Sequence, residues 1–416
     1  MYVGAGIQDI TPPIGTHMSG FVAREQPSIG VHCPLKARAL LVEGDGGRIV
    51  LLHADVIAFE YDDALSIRKA VANVAGVPIE RVILSATHTH SGPAIVRLSQ
   101  CGDYDPAALR LARDGLVQAT HRALSVLEPA EFVVGEGSSV LGIDRRRGEQ
   151  KHTNPRVSVW GWRRTNGEWV AVMTNYAMHN VAMGGENRLL CGDISGHLAA
   201  ELETILTGSP VVLCTNGPCG NINPPSVGPD FERMLGWSKE LGGVMAGILS
   251  GAEPCLDETV TAIESIVPSG AVRLDPEEVN RRADWKIRDL EGQPGATAER
   301  CRQAARDWRD TMLGELPDRA YGAIPVHAVR IGDRYAVGIG AEPFSVIADG
   351  IRELTGKDVF VVGYANGDAG YLAPEYAYDE GGYEVDGAFV FYGTLPIPRG
   401  AFERVVDEAS ALVGIL

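Results

Sequence analysis

The sequence predicts an α/β fold built on a mixed sheet, and three observations carry that expectation. Short apolar runs bounded by Gly, Asp or Asn recur along the chain and read as buried strands. Segments with helical spacing of apolar residues lie between them, the alternation expected of strand–helix–strand units. Glycine makes up 50 of the 416 residues, which suits a loop-rich fold with many turns and close backbone approaches.

In chain order, strands are expected at Ala39–Val42, Ile49–Leu52, Val82–Leu84, Val157–Trp160 and Val170–Met173, then at Val211–Leu213, Ala336–Ile339 and Val359–Val362. Helical patterns fall at Ala64–Val74, Ala107–Leu127 and Gly196–Leu206. From about Asp275 to Arg319 the chain is charged, helix-prone and poor in strand formers, and Gly292-Gln293-Pro294-Gly295 divides it in two. Residues 275–319 are therefore expected to form a helical hairpin inserted in a single domain spanning 1–416, packed beside the body or over its cleft.

Bulk properties narrow the function. A net charge of −17 argues against a nucleic-acid partner, because phosphate binding needs a positive face. No apolar run approaches the ~18 residues of a membrane span, and the N-terminus lacks the basic and apolar regions of a signal peptide. The seven cysteines, at 33, 101, 191, 214, 219, 255 and 301, form no C-x-x-C pair, so neither a zinc ribbon nor a disulfide framework is indicated. A reducing, cytoplasmic setting is the expectation. Oligomeric state leaves no mark in the sequence.

The densest chemistry lies in Ser85-Ala86-Thr87-His88-Thr89-His90-Ser91-Gly92-Pro93. Residues i and i+2 of a strand share a face, so His88 and His90 should emerge side by side where the strand gives way to a Gly-Pro turn. Three further polar spots follow apolar runs: His179, Glu342 before Pro343, and Asn366-Gly367-Asp368-Ala369-Gly370-Tyr371. Histidines plus a carboxylate suit a zinc-class site with a position open to water or substrate. Plainer roles stay open for each: a satisfied core histidine at 179, a helix cap at Glu342, packing at Tyr371. A fifth spot, Cys214 to Pro225, is rich in Gly, Asn and Pro, and could aim backbone N–H groups into an oxyanion pocket. Cys219 within it is a candidate thiol nucleophile or an inert turn residue, and no Cys-His signature accompanies it.

Taken in order, these pieces resemble the neutral, non-lysosomal ceramidase family, zinc enzymes that hydrolyse the amide of N-acyl-sphingosine. The resemblance runs through Gly4 to Pro13, Met18-Ser19-Gly20-Phe21, Ser85 to Pro93, Gly192-Asp193-Ile194-Ser195-Gly196, Glu342, Asn366 to Tyr371 and Gly382-Tyr383-Glu384. It implies that His88, His179, Glu342 and Tyr371 hold Zn2+, with His90 beside the metal, poised to bond the substrate carbonyl or a water. It further implies that Arg145, in Ile143-Asp144-Arg145, steadies the oxyanion and that Tyr383 is a second donor there.

The chain departs from the family pattern at three points. The family's Gly-Asp-x-Ser-Pro loop reads Gly220-Asn221-Ile222-Asn223-Pro224 here. Asn223 stands where the serine would be, and an amide donates and accepts hydrogen bonds but forms no acyl-enzyme. The family's C-terminal immunoglobulin-like domain is expected to be missing, since the sequence ends at Leu416, and no secretion signal is evident. The expectation is therefore a hydrolase of an amide or related C–N bond in a small or amphiphilic substrate, using metal-activated water. Two other readings stand beside it: a metal-dependent enzyme of amide or ring formation or rearrangement, and a non-catalytic binding protein on the same scaffold.

Overall fold

In the computed structural model, which describes residues 1–290 and 293–416, the strands form three main sheets rather than one. The first contains β1 (Tyr2–Asp9), β2 (Lys36–Gly44), β3 (Gly47–Ala54) and β4 (Val82–Ala86). The second contains β5 (Glu131–Ser138), β6 (Arg156–Arg163), β7 (Trp169–Tyr176) and β8 (Val211–Asn216). The third contains β9 (Val260–Pro268), β10 (Ala323–Ile331), β11 (Arg334–Ile339) and β12 (Val359–Val362). The short pairs Glu128–Pro129 and Glu253–Pro254 extend the edges of the first two.

Each sheet follows the same rule. Three strands run antiparallel, and the fourth joins in parallel after a helical crossover: β4 beside β3, β8 beside β7, β12 beside β11. The crossover helices are α1 (Tyr61–Ala75), α3 (Asp193–Ile205) and α7 (Ile347–Thr355). Parallel pairing needs such a crossover, and it leaves the carboxyl ends of the paired strands on one side.

The remaining principal helices are α2 (Pro106–Ser125), α4 (Phe231–Ser250), α5 (Pro276–Asp289), α6 (Ala296–Leu313) and α8 (Ala401–Ile415). Their starts follow from sequence. Asp105 accepts hydrogen bonds from the Ala107 and Ala108 N–H groups ahead of Pro106, and Asp275 accepts from Glu278 ahead of Pro276. The expected hairpin is thus present as α5 and α6. Gly292 of its expected break lies outside the described residues.

Alternate residues of the central strands serve two cores. Ala39 and Leu41 of β2, with Val50 and Leu52 of β3, pack in a core with α1 and α2 residues, whereas Leu40, Val42, Ile49 and Leu51 face the other way. There they meet Trp160 and Trp162 of β6, Val329 of β10 and Phe360 of β12, so the inner faces of all three sheets share one apolar centre. A third core joins the last sheet to α7 and α8. A fourth seats Trp308 of α6 against Phe389, Val390 and Phe391. No described helix is long and apolar enough to cross a membrane.

Candidate metal centre

The three parallel strand pairs send their carboxyl ends to one place. Two or three residues beyond β3, β4, β7, β8, β11 and β12 stand Ile57, His88, His179, Cys219, Glu342 and Tyr364, in that order. Polar side chains stitch these ends together. Asn175 donates to the Val361 carbonyl at 2.9 Å, Asn216 to the Thr87 carbonyl at 2.7 Å, and the Leu84 N–H donates to Asn366 Oδ1 at 2.8 Å.

At this convergence the His179 Nε2 lies 3.0 Å and the His88 Nε2 3.5 Å from Glu342 Oε2, and His90 Nε2 is 3.2 Å from His88 Nε2. His88, His179 and Glu342 are buried, and one ring nitrogen from each of the three histidines lies within 4.8 Å of the others. The pair His88 and His90 is brought together, but not by strand alternation. β4 ends at Ala86, and His88 turns left-handed at φ 57°. That turn, rather than the pleat, aims the two rings at each other. Gly20 leaves room for His90: at φ 99° a Cβ there would sit 2.4 Å from His90 Nδ1.

The donor set fits a cation. Two donors on one tetrahedral zinc lie about 3.3 Å apart, given bond lengths of about 2.0–2.1 Å, and the distances above bracket that value. His88 Nδ1 faces the Ile57 carbonyl at 2.9 Å and His179 Nδ1 faces the Cys219 carbonyl at 2.7 Å, so each ring presents Nε2 inward. Burial lowers the His88 pKa to about 3 and holds its imidazole neutral. For His179 burial acts the same way but is outweighed by the Cys219 sulfur and by the hydrogen bond to Glu342, and its pKa rises to about 9. With an acceptor at each ring nitrogen, it carries between itself and Glu342 a proton that a cation would displace. Glu342 stays ionised despite burial because His88, His179 and Tyr392 surround it.

Two tyrosines that the sequence did not single out complete the carboxylate's shell. Tyr364 donates to Glu342 Oε2 at 3.2 Å and stacks on His88 with ring centroids 3.9 Å apart, while the Tyr392 hydroxyl donates to Oε1. The usable signal was Gly363-Tyr364-Ala365-Asn366-Gly367, a run of turn residues directly after a buried strand. Glu342 itself caps no helix. It lies in a two-residue strand with Pro343, paired in parallel with Tyr371 and Leu372.

Tyr371 lies beside this group, its ring nearly parallel to that of His179 at 6.4 Å. Its hydroxyl accepts from Arg145 Nη2 at 2.9 Å. Arg145 also donates to the Gly220 carbonyl at 2.9 Å, Asn223 Oδ1 at 3.3 Å and Glu384 at 3.1 Å. These four bonds use four of its five N–H groups. Tyr383 is half exposed, its ring edge-on to Tyr371 at 5.7 Å. The loop after β8 is expected to aim backbone N–H groups into an oxyanion pocket, and three of them are instead bonded within the fold. Its Gly217, Gly220 and Ile222 N–H groups bond the carbonyls of Tyr176, Pro343 and Cys219, and it turns the Cys219 carbonyl toward His179. The buried Cys219 sulfur faces the Tyr364 hydroxyl at 3.2 Å.

A family model described as neutral/alkaline non-lysosomal ceramidase, N-terminal, matches residues 1–212, the half of the chain that carries His88, His90, Arg145 and His179. The chain belongs to this ceramidase family. The neutral ceramidase of Pseudomonas aeruginosa is 26% identical, the alignment covering 98% of this chain and 72% of that protein. The neutral ceramidase of Mycobacterium tuberculosis is 25% identical over 92% of this chain and 73% of its own length. Neutral ceramidase A of Dictyostelium discoideum aligns with 55% of this chain and 36% of its own length, at 26% identity. The crystal structure of the Pseudomonas neutral ceramidase has the same fold, with a TM-score of 0.76 at 22% identity, covering all of this chain and 75% of that one. This ceramidase-family chain is accordingly a hydrolase with an α/β catalytic fold and a histidine-rich candidate metal site.

Proposed function

We propose that the chain is a zinc-dependent hydrolase of an amide or related C–N bond, working through activated water rather than an acyl-enzyme. The observation that carries this reading is the convergence of His88, His90, His179 and Glu342 in one largely buried cluster, with no serine at position 223. His88, His179 and Glu342 would hold the metal, with Tyr371 at its edge. A zinc ion there supplies a Lewis acid for the carbonyl oxygen and lowers the pKa of water to about 7.

The chain's own groups supply the rest. Burial, together with His88 and His179, keeps the His90 pKa well below its ordinary value, so this imidazole is neutral and can accept a proton. Its Nδ1 is buried and has no partner among the described residues. Burial keeps the Tyr371 hydroxyl protonated, a donor at neutral pH. Arg145 fixes that hydroxyl and the Asn223 amide together, and keeps one N–H for developing negative charge on the substrate oxygen. Tyr383 stands on the exposed side as a second donor. Asn223 holds Arg145 in place, which an amide does well and a nucleophile's task does not require.

A cavity of about 300 Å³ adjoins the centre, since Tyr392 and Asp368 help line it. Its walls mix Ile57, Phe59 and Leu98 with Arg97 and Arg319, a lining suited to a small or amphiphilic amide. The hairpin of α5 and α6 packs on the segment bearing Phe391 and Tyr392, and we take it as an element of substrate selection. A cytoplasmic setting goes with seven free thiols. The test compares wild type and His179→Ala by elemental mass spectrometry and by turnover of short N-acyl amines in labelled water. The expected variant loses one zinc and all hydrolysis. Undiminished zinc in the variant, or product without solvent oxygen, would overturn the reading.

A further inference from the structure

A second cluster of metal-ligating side chains lies outside this centre. His32, Cys33 and His197 place one ligand atom each within 4.8 Å of one another, and His32 Nδ1 is 3.1 Å from His197 Nε2. Three separate segments build it. Gly30–Val31 pairs with Leu189–Leu190 as a short parallel ladder, and the chain then places His32 and Cys33 with their N–H groups on the Leu190 carbonyl. His197 comes from the first turns of α3. The His32 ring is stacked on Phe231 at 3.8 Å and 10°, which fixes its plane.

We infer that His32, Cys33 and His197 form a second zinc-class cation site, distinct from the catalytic centre. The donor types select the cation. One thiolate and two imidazoles suit zinc or cobalt and not the oxygen-seeking magnesium or calcium. The two ring nitrogens, 3.1 Å apart, stand close to the about 3.3 Å between nitrogen donors on one tetrahedral zinc, and the Cys33 sulfur lies within 4.8 Å of both. Two facing ring nitrogens share one proton at most, and a cation bonds both. His32 is exposed, which gives the ion an entry path and leaves its fourth position to solvent.

The site clips the 30–33 segment to α3 directly behind the loop that carries the catalytic histidines. The Cys191 N–H donates to the Ser91 carbonyl at 3.1 Å, and Thr89 Oγ1 donates to the Cys191 carbonyl at 2.8 Å. An ion here would act structurally, holding that loop's support rather than touching substrate.

Cobalt(II) titration of the chelator-stripped full chain tests this, because of the two clusters of ligating side chains found among the described residues only this one includes a cysteine, and a thiolate–cobalt charge-transfer band reports it. We expect that band to saturate with one cobalt in wild type and equally in His179→Ala, which removes the catalytic centre. It should vanish in Cys33→Ser and need at least about tenfold more cobalt in His197→Ala and in His32→Ala, the last a substitution at an exposed position. Absence of the band in wild type, or its persistence in Cys33→Ser, would overturn the proposal without touching the catalytic reading. Loss of zinc from the catalytic centre alone would leave this band in place.

Discussion

Tyr364→Phe isolates what holds the Glu342 carboxylate proposed to bind the metal. The substitution keeps the ring stacked on His88 at 3.9 Å and removes one hydroxyl, which donates to Glu342 Oε2 at 3.2 Å. Oε2 is the oxygen that faces both His88 and His179, so its orientation decides whether the donor set closes. A hydrogen bond to a buried charge is worth about 1.5–3 kcal/mol. If the carboxylate's fixed orientation goes wholly into metal binding, the loss is roughly 10- to 150-fold in affinity at 1.4 kcal/mol per tenfold. Outer partners of metal ligands commonly cost about 10–100-fold, in the same range.

The assay is competition for zinc between the stripped protein and a chromophoric chelator, with circular dichroism to verify the fold. Tyr392→Phe is the companion, since it releases the other oxygen, Oε1, and leaves Oε2 alone. We expect Tyr364→Phe to be the weaker binder of the two, and Glu342→Gln to be weaker than both. If all three variants held zinc within about twofold of wild type, Glu342 would not be a ligand and its shell would not tune the site. The cation would then belong to the three histidines.

Two further outcomes follow from burial. Burial holds the imidazoles of His53 and His327 neutral, each with its pKa lowered to about 4. The unfolded chain therefore binds more protons between pH 4 and 6.5, so stability is full above that window and is lost as pH falls through it. Each histidine should cost about 2 kcal/mol between pH 7 and pH 5 in urea unfolding, and His53→Gln should remove its share; a flat profile over that range contradicts the assignment. Trp308→Ala should cost about 3–5 kcal/mol locally, because the ring is fully buried and its Nε1–H donates to the Thr394 carbonyl at 2.8 Å. Hydrogen exchange should rise across α5, α6 and residues 388–395 while β4 stays protected, and a uniform rise would mean the hairpin is no separate unit.

The strands were legible because each is a short run of residues buried on both faces, with only Val211 partly exposed, and all eight expected runs lie inside observed strands. Which runs pair was not legible. The division into three sheets depends on contacts between segments far apart in sequence, such as β9 with β10 across the whole hairpin. Within the candidate site the ligating residue types announced themselves after apolar runs, and His88, His179 and Glu342 do meet. Tyr364 and Tyr392 gave no such sign, because a tyrosine whose hydroxyl serves a carboxylate has the same sequence neighbourhood as one that packs. The convergence of His88 and His90 was foreseen for a reason that does not hold: a single left-handed residue, invisible to periodicity, does the work assigned to the pleat.

That left-handed residue has company. His88, Tyr364 and Asn366 all have φ between 54° and 62°, and all three belong to the loops that leave β4 and β12. Non-glycine residues occupy this region at a cost of order 1–3 kcal/mol each, and only where their surroundings over-determine them. Here the surroundings can be named. The Asn366 N–H donates to the Leu84 carbonyl at 2.7 Å while its side chain accepts from the Leu84 N–H, and the Tyr364 N–H donates to the Ala341 carbonyl at 3.0 Å. The two strained loops thus lock each other and the residue before Glu342. Relaxing one of them would turn His88 away, unstack Tyr364 and free the carboxylate together. The backbone of these two loops therefore orients His88, Tyr364 and Glu342 together, as one unit of the candidate site.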